Sequence, residues 1–90
     1  MKKLRKINST WYQIDVTTDK WDFPVDVVAI FRTKWGEWSV CDGQPQFARR
    51  VDDYNRYVFV KLSSAKAFAQ DLAIAIENET LYPSILNYGE

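Results

Sequence analysis

A segment near the C-terminus carries apolar residues at helical spacing, and it constrains the fold more than any other feature of the chain. Its stripe consists of Ala65, Phe68, Ala69, Leu72, Ala75 and Ile76. Ser63 or Ser64 is predicted to cap this helix, because a serine hydroxyl accepts hydrogen bonds from the exposed amides of a first turn. We expect the helix to run to about Asn78 and to lie close against a sheet, since half of the stripe is alanine.

The residues before this helix alternate between apolar and polar side chains, which is typical of half-buried strands. Within residues 9–18, Tyr12, Ile14 and Val16 alternate with polar neighbours, so they are predicted to face the helix. Residues 56–62 are rich in valine and aromatic residues and predict a second clear strand. Both strands are expected to belong to one antiparallel sheet.

Residues 25–42 predict a β-hairpin, because strand-forming residues lie on both sides of Gly36. With residues 34–37 as a four-residue turn, Gly36 supplies the positive φ that tight turns need. This register places apolar pairs on one face of the sheet. Its predicted pairs are Thr33 with Trp38 and Phe31 with Val40.

The remaining segments are less regular. Residues 1–7 are basic and are predicted to form a solvated N-terminal arm. Residues 46–55 fit either a short strand or a helical turn. Residues 80–90 are too apolar for a free tail, so we expect them to pack back, with one helical turn after Pro83. The order β-β-β-(β)-α predicts a single domain over residues 1–90, with an α+β two-layer fold in which one long helix packs on an antiparallel sheet of three to four strands.

The chain contains no histidine and one cysteine, which removes most catalytic and metal-binding chemistry. Cys41 has no second cysteine for a disulfide and no histidine that could activate it as a nucleophile. The aspartates are expected at turns and on the surface, and three isolated glycines form no phosphate-binding loop. We therefore expect a protein that is not an enzyme and that holds no metal and no cofactor.

Charge and hydropathy carry information about location and partners. Twelve basic and twelve acidic residues give a net charge of zero, so no global field attracts the chain to nucleic acid or acidic lipid. No apolar run approaches the length of about 20 residues that a membrane span needs. We expect a cytoplasmic protein, in the cytoplasm of the host cell if the source is viral, with no membrane partner.

Aromatic residues are abundant, with four tryptophans, five tyrosines and five phenylalanines, and their spacing divides them into two groups. A first group has core spacing: Tyr12, Phe31, Trp38 and Phe68. A second group does not, and with two basic neighbours it forms the predicted partner-binding set: Trp11, Trp21, Trp35, Tyr57, Phe59, Arg32 and Lys34. If Val58 and Val60 face the helix, then Tyr57 and Phe59 lie on the open face of the sheet beside Trp11. The other interpretation is that these rings are buried beneath residues 80–90 or against a second copy of the chain.

Two functions fit these features. The first is a small protein-binding module, a regulator or inhibitor of another protein of the kind that phages and mobile elements encode, with self-association as a further option. The alternative is a nucleic-acid-binding module, in which rings on the sheet stack bases and basic residues contact phosphates. Under this alternative the phosphate contacts are Arg49, Arg50, Arg56 and Lys61.

A strand followed by a helix that begins Leu-Ser-Ser-Ala-Lys-Ala-Phe-Ala is similar to the arm-type DNA-binding domains of phage and transposon integrases. In that family a three-stranded sheet enters the major groove and a helix packs behind it. The resemblance covers residues 56–78 and implies an architecture. The chain departs from the family in charge, since Asp15, Asp26 and Glu37 are predicted on the sheet and DNA-binding domains are usually basic.

Overall fold

A computed structural model describes residues 3–16, 27–42, 57–78 and 80–88, in which five strands form one antiparallel sheet with one long helix on one face. The elements are β1 (Leu4–Asn8), β2 (Trp11–Asp15), β3 (Val27–Arg32), β4 (Trp38–Cys41), β5 (Tyr57–Phe59), α1 (Leu62–Asn78) and a 3₁₀ turn (Ile85–Tyr88). The strands lie in chain order across the sheet, so strands that are adjacent in sequence are also paired. The predicted α+β fold is confirmed, with five strands instead of three to four.

The first strand of the sheet occupies most of the segment that the sequence predicted as a basic arm, residues 1–7. β1 pairs with β2 so that Leu4 lies opposite Ile14, and the Leu4 side chain packs against the core. Arg5 and Asp15 form a salt bridge at 2.8 Å on the surface of this pair. Basic side chains on an edge strand also disfavour pairing with the edge of another sheet.

A tight turn occupies residues 9–10, at the start of the segment that was predicted as a strand over residues 9–18. The Asn8 side-chain oxygen accepts hydrogen bonds from the Thr10 amide at 2.8 Å and from the Thr10 hydroxyl at 2.9 Å. Asn favours turns because its side chain can bond to the backbone two residues further on. β2 therefore begins at Trp11, and Tyr12, the next residue, faces the helix as predicted.

The predicted β3–β4 hairpin is confirmed, but its register differs by one residue. The observed pairs are Ile30 with Val40 and Arg32 with Trp38. The predicted pairs, in which Thr33 faced Trp38 and Phe31 faced Val40, are wrong. The cause is the loop length: the Thr33 amide donates to the Glu37 carbonyl at 2.7 Å, which leaves a three-residue loop instead of four.

Gly36 has a φ of 83°, so its predicted positive φ is confirmed. A Cβ at this position would lie 3.7 Å from an Arg32 guanidinium nitrogen, an ordinary contact, so the strain in any substitution comes from the backbone. We expect Gly36→Ala to lower the free energy of unfolding by about 1–2 kcal/mol, and Gly36→Asn, which tolerates this conformation, to cost less. Chemical denaturation of both variants checks this, and equal costs would show that the positive φ is not the cause.

The main core lies between α1 and the face of the sheet that carries the alternating residues of β2. The predicted helical stripe is buried throughout, and Ala73 joins it. On the sheet side the buried residues are Ile14, Val16, Val28, Ile30, Trp38, Val40 and Phe59. The helix ends at Asn78 as predicted but begins at Leu62. The cap position therefore falls on Lys61, whose carbonyl accepts from the Ala65 amide at 3.2 Å, and the predicted cap at Ser63 or Ser64 is wrong.

The faces of β5 are opposite to the predicted ones. Phe59 is 1% exposed and belongs to the core, whereas Val58 and Val60 are 38% and 69% exposed. Phe59 lies opposite Trp38 in the register, and both side chains face α1. The predictions that Tyr57 and Phe59 lie on an open face and that the valines face the helix are therefore wrong. At this side of the sheet the helix presents Phe68, and the rings of Tyr57 and Phe59 pack against it.

Aromatic contacts complete the core at the β5 side. The ring centroid of Phe68 lies 5.2 Å from that of Phe59 and 4.6 Å from that of Tyr57. Tyr88, at the end of the 3₁₀ turn, approaches Phe68 edge-on at 5.2 Å and Phe59 at 6.4 Å. Tyr88 thus packs beside Phe59 and Phe68, whereas Leu81 and Leu86 of the same segment are exposed.

Leu72 is fully buried in the helical stripe, so its truncation should open a cavity. We expect Leu72→Ala to lower the free energy of unfolding by about 2–5 kcal/mol. Ile74 lies on the same helix and is 42% exposed, so Ile74→Ala is the matched control and should cost less than about 1 kcal/mol. Urea denaturation measures both, and a similar loss in the two variants would contradict the observed orientation of α1.

The other face of the sheet is also largely buried. Ala29, Phe31 and Cys41 form a second apolar cluster there. Ser39 is buried beside them, and its hydroxyl has no hydrogen-bond partner within the described part of the chain. Trp11 lies on this face opposite Phe31 and is half-buried. The face is therefore not the open aromatic platform that the sequence analysis considered.

Candidate partner-binding surface

Three connections of the fold meet at one end of the sheet. The turn at residues 9–10 joins β1 to β2, the loop at residues 33–37 joins β3 to β4, and α1 starts there after β5. The Arg32 amide donates to the Thr10 carbonyl at 2.8 Å, which ties the turn to the hairpin. We call this region the hairpin end.

The hairpin loop is held by backbone and side-chain hydrogen bonds around Thr33. The Gly36 amide donates to the Thr33 carbonyl at 3.0 Å. The Thr33 hydroxyl oxygen accepts from the amides of Trp35 at 3.3 Å and Glu37 at 3.2 Å. These contacts fix the backbone on both sides of Trp35, so its side chain projects from an ordered loop.

Trp35 is 71% exposed at the tip of this loop. Its one described ring contact is with its neighbour Lys34, whose Nζ lies 4.7 Å from the ring centroid. A cation over an indole ring stabilises its position by about 0.5–1 kcal/mol at an exposed site. Most of the ring surface therefore remains available to a partner.

A row of two rings with a cation at each end runs from α1 to the hairpin, and we call it the cation–aromatic row. Lys66 Nζ lies 4.8 Å from the Tyr12 ring centroid, and the Tyr12 and Trp38 centroids are 5.9 Å apart. Arg32 Cζ lies 5.6 Å from the Trp38 ring. The row ends beside Gly36, next to Trp35 at the loop tip. Helix and sheet are thus connected by ring contacts that extend to the start of the hairpin loop.

The hairpin end is electropositive within the described part of the chain. Its basic residues are Lys6, Arg32, Lys34, Lys61 and Lys66, and its described carboxylate is Glu37. The first turn of α1 contains no acidic residue, so the partial positive charge of the helix N-terminus adds to these charges. A chain with zero net charge therefore presents a locally basic surface.

The structure brings together three of the predicted binding residues: Trp35, Lys34 and Arg32. Lys61 lies at the start of α1 at the same end. Tyr57 and Phe59 are in or against the core, and Trp11 is on the opposite face of the sheet. The other predicted residues lie outside the described residues: Trp21, Arg49, Arg50 and Arg56.

Sequence reasoning missed the cation–aromatic row, because it assigned Tyr12 and Trp38 to the core alone. Both rings do face the helix, but each also has a cation over its ring. The available signal was the position of Lys66, directly after the buried Ala65, at the margin of the helical stripe. A lysine at such a margin can lay its stem along apolar surface and keep its charge outside.

The C-terminal segment presents a second exposed apolar surface, at a distance from the hairpin end. Leu81 and Leu86 are 95% and 88% exposed. The Tyr82 hydroxyl bonds to the Asp42 carboxylate at 3.3 Å, beyond the far end of β4. Burial raises the pKa of Asp42, although its own backbone amide and the Tyr82 hydroxyl act in the opposite direction. The pKa of Tyr82 is raised by burial and then by the charge of Asp42.

Tyr88 anchors the same segment to α1. Its hydroxyl donates to the Asp71 carboxylate at 2.5 Å. Burial, then the hydrogen bond to Asp71 and the negative charge of Asp71, together raise the pKa of Tyr88 from 10.0 to about 12. Because the folded state holds this proton more tightly, the contribution to stability is full below pH 10 and is lost as the pH rises toward 12.

We expect Tyr88→Phe to show this linkage directly. Loss of the hydrogen bond should lower the free energy of unfolding by about 0.5–1.5 kcal/mol at neutral pH. Stability of the wild type should decrease between pH 10 and the folded-state pKa of about 12, and the decrease should be shallower in the variant. Urea denaturation over this pH range measures both effects. An unchanged pH dependence in the variant would show that Tyr88 is not the linked group.

In the described residues no cluster of three histidine, cysteine or acidic side chains is placed to bind a metal ion. Nor do they contain a helix with the length and apolar character that crossing a membrane requires. Comparison with protein-family models, curated proteins and solved structures found no match. The architectural resemblance to integrase arm-type domains consequently gains no support from these comparisons.

Proposed function

We propose that this chain is a small non-enzymatic protein-binding module that regulates or inhibits another protein through its hairpin end. The observation that carries the proposal is Trp35, a large ring that is 71% exposed on an ordered loop. Tryptophan and arginine are the residues that most often dominate the binding energy of protein interfaces. The Arg32 guanidinium lies near Gly36, the residue that follows Trp35, so we expect a single partner surface to reach both.

The hydrogen bonds around Thr33 lower the free-energy cost of binding a partner through this loop. Ordering a loop on association costs free energy, and a loop that is already ordered avoids much of that cost. The loop also satisfies its own backbone amides at Gly36 and Glu37. A partner therefore needs to supply a pocket for the indole ring, with no requirement to pair the loop backbone.

The nucleic-acid alternative required Trp11, Tyr57 and Phe59 to form one stacking platform. Trp11 lies on the opposite face of the sheet from Tyr57 and Phe59, so these three rings cannot contact the same strand of bases. At the hairpin end, Trp35 is the one described ring that is mostly exposed, whereas single-stranded nucleic acid is usually bound by successive stacked rings. The position of these rings favours a protein partner.

The test is a pull-down from native lysate with wild type and Trp35→Ala, followed by measurement of affinity for the captured protein. We expect the variant to bind at least about 30-fold more weakly, as truncation of a central tryptophan does, and to lose at most about 0.5 kcal/mol of stability. Leu81→Ala is the matched control, since Leu81 is 95% exposed at a distance from the hairpin end. An activity assay of the captured protein, with and without the chain, then tests regulation.

Several outcomes would count against the proposal. If Leu81→Ala abolished capture and Trp35→Ala did not, the C-terminal segment would be the contact surface. A large drop in the melting temperature of Trp35→Ala would show that the ring supports the fold. Retention of mixed-sequence single-stranded DNA at low salt, lost steeply as salt increases, would favour the nucleic-acid alternative.

A further inference from the structure

Three basic groups of the hairpin end contact aromatic rings. Among the described residues, the cations of Arg32, Lys34 and Lys66 each lie over an aromatic ring, at 5.6, 4.7 and 4.8 Å. None of these three forms a salt bridge with another described residue, in contrast to Arg5, which pairs with Asp15 on β2. Three positive charges at one end of the molecule are thus positioned by π-systems, without a carboxylate partner among the described residues.

A cation that is held against a ring is preorganised to bind an anion. A guanidinium group that lies over an indole keeps its N–H donors at its edge, where a carboxylate can accept two of them. The Trp38 ring restricts the Arg32 side chain in advance, which reduces the entropy lost when an anion binds. The same argument applies to Lys66 over Tyr12, whose ring is itself packed against Trp38.

We propose that the partner of the hairpin end is a protein that presents an acidic segment, with Asp or Glu side chains flanking an apolar site that receives Trp35. This inference rests on the proposed function and names the chemistry of its partner. Carboxylates of the segment pair with Arg32, Lys34 and Lys66, while the indole supplies apolar contact. The zero net charge of the chain makes this attraction local to the hairpin end.

The dimensions of the row fit a short peptide segment. Successive separations of 4.8, 5.9 and 5.6 Å join Lys66 to Arg32 through the two rings. An extended segment of about five residues, at ~3.3 Å per residue, is long enough to pass both charges. Nucleic acid would instead require a longer basic groove with repeated stacking rings, and Trp35 is the one ring at this end that is mostly exposed.

The test uses a random peptide library displayed on phage and selected on immobilised wild-type protein, and every enriched peptide is then measured for binding to Trp35→Ala. We expect the enriched peptides to contain Asp or Glu on either side of an apolar residue. The strongest peptide is then synthesised and titrated against Arg32→Gln, Lys34→Gln and Lys66→Gln. Each should weaken binding by about two- to fivefold, the range for partly exposed charge pairs. Lys3→Gln is the matched control, because it removes the same charge at the other end of β1 and should leave affinity unchanged.

The outcomes separate this inference from the proposed function. Neutral or basic peptides that still depend on Trp35 would overturn the acidic partner and leave the protein-binding function standing. Peptides that bind Trp35→Ala as well as wild type would overturn both. Competition by a mixed-sequence single-stranded oligonucleotide at concentrations below that of the acidic peptide would overturn the acidic partner and point to phosphate as the anion. Equal effects of Lys3→Gln and Arg32→Gln would show attraction by overall charge, and this too would contradict a site at the row.

Discussion

The left-handed backbone conformation of Gly36 determines much of what surrounds it. It allows a three-residue loop between β3 and β4, and this loop sets the register in which Arg32 lies opposite Trp38. Side chains alternate along a strand, so a shift of one residue would move Trp38 to the other face of the sheet. The contact of Trp38 with Tyr12 and the position of Arg32 over its ring both follow from this register. One backbone torsion thus connects the hairpin with the core and with the candidate binding surface.

The core matches a helix of small residues to a sheet of large ones. Ala65, Ala69 and Ala73 are fully buried in α1 and allow a close approach to the central strands. At the β5 side the helix presents Phe68 instead, and Phe59 and Tyr88 pack around it. Rings fill that wider space better than branched aliphatic residues and gain contact energy from tilted and edge-on geometry. The same preference explains why Phe59 of β5 faces the helix while Val58 is partly exposed.

Periodicity predicted the helical stripe and the inward face of β2, because each pattern extends over enough residues to exclude the opposite phase. Periodicity gave the wrong face for Phe59, because β5 has three residues and therefore a single alternation. Valine and phenylalanine both favour strands, so residue type did not show which of them faces the helix. The hairpin register depended on loop length, which differs by one residue between two ordinary turn types. For the candidate site, the position of Trp35 in the hairpin turn was predictable because a glycine follows it. The pairing of Lys66 with Tyr12 joins residues far apart in sequence, and local patterns contain no such information.

The residues at the hairpin end divide according to what the fold requires of them. Trp38 is 8% exposed and is part of the core, so its burial contributes to stability whether or not a partner exists. Trp35 is 71% exposed and contributes little to the hydrophobic core, and Lys34 is exposed beside it. Exposing an indole lowers solubility without a gain in folding energy, and fold stability gives no reason to keep one on an ordered loop. Arg32 lies between the two groups, since its side chain is exposed while its guanidinium lies over the ring of the core residue Trp38. A ring and a guanidinium that folding leaves available in this way are the groups with which a partner can gain binding energy.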